Sequence, residues 1–195
     1  MLLCLILFAV QAQQDDSLAD IKKFQDELNA EYKDAKKSPL EPKDRKKFKR
    51  HEFFDIDLKY RVVAKLNRNV NPDVFQMKTS TDRLARYKKY AIASFQIDGK
   101  EYALTLYQSL DLMNSAEYKD YLFLPFLDKT SGDESYGAGR YIDLRLTDAD
   151  EIVIDFNKAY NPYCAYSFRY SCPRVPGENN LDVAIRAGIR YTAKH

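Results

Sequence analysis

The sequence predicts a mainly β protein, an antiparallel sheet closed as a barrel or sandwich and preceded by one N-terminal α-helix. Three observations carry this. Period-two alternation recurs between Tyr60 and Ala187, helical periodicity is concentrated at the amino end, and no strand-then-helix alternation builds a parallel sheet. The 195 residues correspond to one ordinary domain, or at most one with an appendage. A hydrophobic fraction of 45% fills a core and 31% charged residues cover it, which excludes wholesale disorder and a polytopic membrane protein. With 31 basic against 29 acidic residues, the net charge of +2 lacks the footprint of a nucleic-acid binder.

From the amino end, Leu2 to Val10 form an uncharged apolar run, followed by the small-residue pattern of Val10-Gln11-Ala12. This predicts a signal peptide over residues 1–12, a mature chain starting near Gln13 and an extracytoplasmic location, periplasmic or secreted. The run is too short to cross a hydrocarbon core, which takes about 20 helical residues, so no stable membrane span is expected after signal removal. Residues 13–45 are assigned to a helix and a basic linker. Leu18, Ile21, Phe24, Leu28 and Tyr32 fall on one helical face, Ser17 with Asp20 resembles a capping box, and Pro39 stops the helix by Ser38. The basic stretch Lys43 to Arg50 has acids nearby and no second basic block, so it reads as a solvated turn or loop.

Residues 46–195 are expected to form a single β-rich domain. Tyr60, Val62, Ala64 and Leu66 alternate with more polar positions, as in a half-buried strand. Asp98-Gly99 fits a two-residue hairpin turn and sets the register Ile97 to Lys100, Phe95 to Tyr102, Ala93 to Leu104 and Ala91 to Leu106. Leu110 to Tyr121 is a short helix or an irregular connection. Pro125 makes Leu122 to Phe126 an edge or an entry segment, and Asp128 to Gly139 is a loop. Three further alternating runs follow: Arg140 to Leu146, Glu151 to Asn157, and Leu181 to Ala187.

Candidate chemistry is densest from Ser135 to Gly188. Pairing Arg140–Leu146 with Glu151–Asn157 as a hairpin sets Asp143 opposite Asp155, with Arg145 diagonal to Asp155. Facing carboxylates need a cation, a shared proton or solvent, and Arg145 is the cation at hand. Cys164 and Cys172 are the two thiols left after signal cleavage, and an oxidising compartment favours their disulfide, with a thiolate metal site or a reactive thiol as the alternatives. Prolines and tyrosines between Asn157 and Asn180 describe a rigid, aromatic-lined loop.

The segments Phe53-Phe54 with Tyr60-Arg61-Val62, Tyr121–Phe126, Tyr136-Gly137-Ala138-Gly139-Arg140-Tyr141-Ile142-Asp143, Asp155-Phe156-Asn157-Lys158-Ala159-Tyr160-Asn161-Pro162, Cys164-Ala165-Tyr166, Cys172-Pro173, Glu178-Asn179 and Ala184–Gly188 together resemble the uncharacterised bacterial and archaeal family catalogued as domain of unknown function 1684. The resemblance covers roughly residues 46–188. It implies a common fold and supplies no activity. Arg174 and Val175 replace the family's usual prolines, and Ile189 stands where an acidic residue is usual.

Two functional readings follow. The first is an exported module that binds a small molecule or an envelope component through Tyr136, Arg140, Tyr141, Asn157, Asn161, Tyr166 and Asn179. The second is a hydrolase-type enzyme with Asp143, Asp155 and Glu178 as acid-base groups or metal ligands and Arg140 and Asn157 orienting the substrate. No phosphate loop, dinucleotide fingerprint, nucleophile elbow or paired-histidine metal motif occurs, and neither a cofactor nor a metal is assigned to the chain.

Overall fold

A computed structural model describes residues 2–191, with side chains from Gln13 onward. The expected signal, residues 1–12, lies outside the residues whose side chains are described. Helix α1 spans Leu2–Lys33 and the single-turn α2 spans Pro42–Arg45. The strands are β1 (Arg61–Asn67), β2 (Phe75–Lys78), β3 (Leu84–Ile97), β4 (Lys100–Ser109), β5 (Tyr121–Phe126), β6 (Arg140–Arg145) and β7 (Glu151–Asp155). They form one antiparallel sheet in the order β6-β5-β4-β3-β1-β7, with β2 alongside the first part of β3.

The sheet is an open half-barrel, not the closed barrel or sandwich expected. The sequence reading had paired β6 with β7, but β6 runs against β5, with Phe123 opposite Asp143, and β7 runs against β1, with Arg61 opposite Asp155. The reason is competition from distant partners. A short connection and two alternating runs satisfy a hairpin locally, while β1 and β5 offer apolar faces of equal quality far away in sequence. Closure fails because the chain after β7 enters a tight turn at Phe156–Lys158 and returns beside β6, where Tyr141 and Tyr160 exchange both main-chain hydrogen bonds at 2.9 and 3.0 Å.

The β3–β4 hairpin has the expected register at all four pairs, turning on Asp98 and Gly99 with φ of 50° and 76°. A bulge between Lys89 and Ala91 adds one residue to β3. Ala85 and Tyr87 therefore face one side of the sheet, whereas Ala93, Phe95 and Ile97 face the other. From Leu104 to Ser109 β4 is buried on both faces, because each face carries its own apolar cluster. The main core unites Phe95, Leu104, Leu106, Leu122, Leu124, Phe126, Ile142, Ile154 and Phe156. The second face holds Met77, Tyr87, Tyr107, Phe123 and Tyr141.

Pro125 lies inside the sheet, not at its edge. Its missing N–H is accommodated by Asn179, whose side-chain amide enters between β4 and β5. The Asn179 Oδ1 accepts from the Thr105 N–H at 2.8 Å, and Nδ2 donates to the carbonyls of Thr105 and Pro125 at 2.9 and 2.7 Å. The alternating run Leu181–Ala187 forms no ladder. Its main chain is bonded to loop carbonyls and side chains instead, with the Ile185 N–H on Asp128 at 2.6 Å and the Ile185 and Ala187 carbonyls on Arg140.

Helix α1 begins before Ser17, so the expected capping box is not a cap, and the Ser17 hydroxyl bonds back to the Gln13 carbonyl at 2.9 Å. The far end of α1 packs Leu28 and Tyr32 against Leu40 and Ile189, with Phe24, Phe48, Phe53, Tyr163 and Tyr166 around them. His51 is enclosed there, its ring edge-on to Tyr32 at 4.2 Å. Burial lowers its pKa to about 4. An unfolded chain takes up this proton near pH 6.5 and the folded one does not, so His51 costs nothing above that pH and destabilises progressively as pH falls towards 4, by about 3 kcal/mol. Urea unfolding at pH 7 and pH 4.5 is expected to show a smaller loss for His51→Phe than for the wild type.

Candidate functional site

On α1, Phe24, Leu28 and Glu31 stand four and three residues apart, which places them on one face. On β6, Ile142 and Leu144 turn towards the main core, leaving Tyr141 and Asp143 on the opposite face. Tyr160, Pro162, Tyr163 and Cys172 complete a cleft of about 280 Å³ between that sheet face and the helix.

Two carboxylates face each other across aromatic walls. Asp143 Oδ1 accepts hydrogen bonds from the Tyr121 and Tyr160 hydroxyls at 2.7 and 2.6 Å, and Glu31 Oε1 accepts one from Tyr163 at 2.5 Å. Among the described residues neither carboxylate has an ion-pair partner. Arg145, one strand repeat from Asp143, is engaged with Asp120 at 2.8 Å and the Glu117 carbonyl at 3.1 Å.

Asp143 keeps access to solvent at the cleft mouth, while the surrounding protein displaces much of its hydration and raises its pKa. The two phenol hydrogen bonds partly offset that rise. Burial pushes Tyr121, Tyr160 and Tyr163 upward, and their carboxylate partners push them further, so these hydroxyls remain donors.

Cys164 and Cys172 are free thiols, which corrects the expected disulfide. The Cys164 N–H donates to the Cys172 sulfur at 3.3 Å. The Cys172 loop is fixed without a covalent link, because the Ser80 N–H and hydroxyl bond the Cys172 carbonyl and N–H at 2.8 and 3.1 Å. Hydrogen bonding from the Cys172 thiol lowers the pKa of Cys164, helped by Ser80 and Tyr136, and the same contact raises that of Cys172.

The structure does not bring the three candidate carboxylates together. Asp143 is in the cleft. Asp155 caps the turn after β7, accepting from the Asn157 N–H and side-chain amide at 3.0 and 2.9 Å, and lies 3.6 Å from Arg61. Glu178 is tied to the Tyr107 hydroxyl and Lys89 at 2.9 and 3.0 Å. Arg145 is therefore not the cation of Asp155.

The candidate binding residues also separate. Tyr141 lines the cleft, its hydroxyl bonded to the Pro173 carbonyl. Arg140 is fully buried, 3.2 Å from Asp128, and donates to the carbonyls of Ile185 and Ala187 at 2.9 and 2.5 Å. Asn157 exchanges hydrogen bonds with the main chain of Asp57, both at 3.0 Å. Asn161 donates to the Tyr166 hydroxyl at 2.9 Å, and Tyr166 packs on Tyr32 at 5.2 Å. Tyr136 packs on Tyr191 at 5.2 Å. Asn179 is the inserted amide between β4 and β5.

Sequence reasoning missed Glu31, Tyr121, Tyr160 and Tyr163 as site residues. Glu31 had a readable signal: it is an acid on the same helical face as Phe24 and Leu28, where an apolar residue is the rule.

None of the curated proteins matches the chain. A solution NMR structure of an uncharacterised protein from Haloarcula marismortui is similar to it, with 37% identity, a TM-score of 0.73, and coverage of 94% of this chain and 99% of that one. The profile of a family described as a protein of unknown function, DUF1684, matches residues 46–190, so the chain belongs to that family.

Proposed function

We propose that this protein is a small-molecule-binding module whose ligand occupies the cleft between α1 and the sheet. The observation that carries the reading is the cleft itself: a concave site of about 280 Å³ with aromatic walls and two carboxylates that form no salt bridge among the described residues. A panel of small amphipathic compounds, assayed by equilibrium dialysis, is expected to include saturable binders of one-to-one stoichiometry. Leu28→Phe, which crowds the cleft, is expected to weaken them. Binding that is unchanged in a folded Leu28→Phe variant would place the ligand elsewhere and defeat the reading.

The proposal includes function outside the cytoplasm, supported by the apolar run Leu2 to Val10 and the small-residue pattern after it. Among the residues whose side chains are described, the buried face of α1 begins at Ser17 and Ile21, downstream of that pattern. Amino-terminal sequencing of the protein recovered from its natural source is expected to start near Gln13. Retention of residues 1–12 would refute cleavage there.

A further inference from the structure

We propose that the ligand of this cleft is an organic cation, a protonated amine or quaternary ammonium group carried on an apolar or aromatic body. The inference rests on the cleft being the binding site and deepens that reading. Its first basis is unbalanced charge from two separate elements. Glu31 comes from α1 and Asp143 from β6, they repel each other, and among the described residues neither forms a salt bridge; Arg145 attracts Asp143 only at longer range, its guanidinium being paired with Asp120 at 2.8 Å.

Each carboxylate has spare acceptor capacity. The phenols of Tyr121 and Tyr160 both use Asp143 Oδ1, and that of Tyr163 uses Glu31 Oε1, so Asp143 Oδ2 and Glu31 Oε2 accept no hydrogen bond from the described protein. The second, independent basis is the wall. Phe24, Leu28 and Pro162 present carbon, and Tyr141, Tyr160 and Tyr163 add aromatic rings, whose faces attract cations through the ring quadrupole.

Other ligand classes fit less well. An anion meets two negative charges. A bare Ca²⁺ or Mg²⁺ takes about six or more oxygens and gains nothing from carbon walls, and among the described residues no three His, Cys, Asp or Glu side chains converge as a metal site. A neutral ligand leaves the carboxylate repulsion uncompensated. An ammonium group between Glu31 and Asp143, with its body along Phe24, Leu28 and the tyrosines, satisfies both the charge and the apolar surface.

Phenethylammonium, 2-phenylethanol and phenylacetate have similar bodies and differ in charge at the head. Titration calorimetry at low salt is expected to rank phenethylammonium at least about tenfold tighter than 2-phenylethanol, with phenylacetate weakest. Glu31→Gln and Asp143→Asn keep the side-chain oxygens that accept the phenol hydrogen bonds, so both variants are expected to fold, which thermal melting checks. Each is expected to reduce the preference for the cation, and the double variant to abolish it.

Amide chemical-shift changes in the same titrations separate two failures. If all three probes shift the cleft residues with equal affinity, the cation inference is overturned and the cleft stands. If none shifts them at millimolar concentration, both fall. A cation preference that survives in the folded double variant also overturns the inference.

Discussion

Replacing Arg140 by Met is expected to lower the stability of the fold by about 3–5 kcal/mol, the usual cost of removing one partner from a buried ion pair. Arg140 and Asp128 both have fully buried side chains, 3.2 Å apart. The substitution keeps most of the volume but leaves the Asp128 carboxylate without its cation, and the Ile185 and Ala187 carbonyls without their guanidinium donors. These groups hold the C-terminal segment against the core, where no strand ladder fixes it. Urea unfolding monitored by tyrosine fluorescence measures the loss. Adding Asp128→Asn to Arg140→Met is expected to recover part of it, because the stranded charge is then gone. A change below about 1 kcal/mol in the single variant would mean that the segment is held by its apolar contacts alone.

Asn179→Ala is expected to cost a comparable amount, about 3–5 kcal/mol, since each buried main-chain group left unpaired costs about 1–3 kcal/mol. The affected groups are the N–H and carbonyl of Thr105 and the carbonyl of Pro125. Asn179→Asp is the sharper test. It preserves shape and the acceptor for the Thr105 N–H, but turns a second oxygen towards two carbonyls that need a donor. It is therefore expected to be at least as destabilising as the alanine variant. If the aspartate variant instead matches the wild type in urea, the amide does not bridge β4 and β5.

These two residues also show how far the sequence could be read. Arg140 and Asn179 were named as ligand-binding candidates, and the structure gives both to the interior. Burial is a nonlocal property that a single sequence does not print. The Asp98-Gly99 hairpin was legible to the residue pair because turn chemistry and alternation act within a few positions and agree. The β6–β7 pairing was misread because the same local rules are satisfied by the wrong partner, and the choice is made by β1 and β5, more than a dozen residues away.

The alternation of Leu181–Ala187 was correctly seen, yet it reports a half-buried extended segment and not a strand, because Arg140 and Asp128 take up main-chain bonds that a neighbouring strand would make. Half of the candidate site was legible. Tyr141 and Asp143 were named, as was the tyrosine-rich loop that supplies Tyr160 and Tyr163. The other half comes from α1, and no local pattern states that a helix so distant in sequence covers β6. Glu31 was the available sign, a carboxylate on an otherwise apolar helical face.

The central claim is that the site of this family member lies under α1, where Glu31 and Asp143 meet the tyrosines. An amide chemical-shift map recorded with the tightest binder from the compound panel tests it most directly. The account predicts perturbations concentrated at Leu28, Glu31, Tyr141, Asp143, Tyr160, Tyr163 and Cys172. Perturbations concentrated instead around Arg61, Asp155 and Asn157, with the cleft residues unmoved, would contradict it.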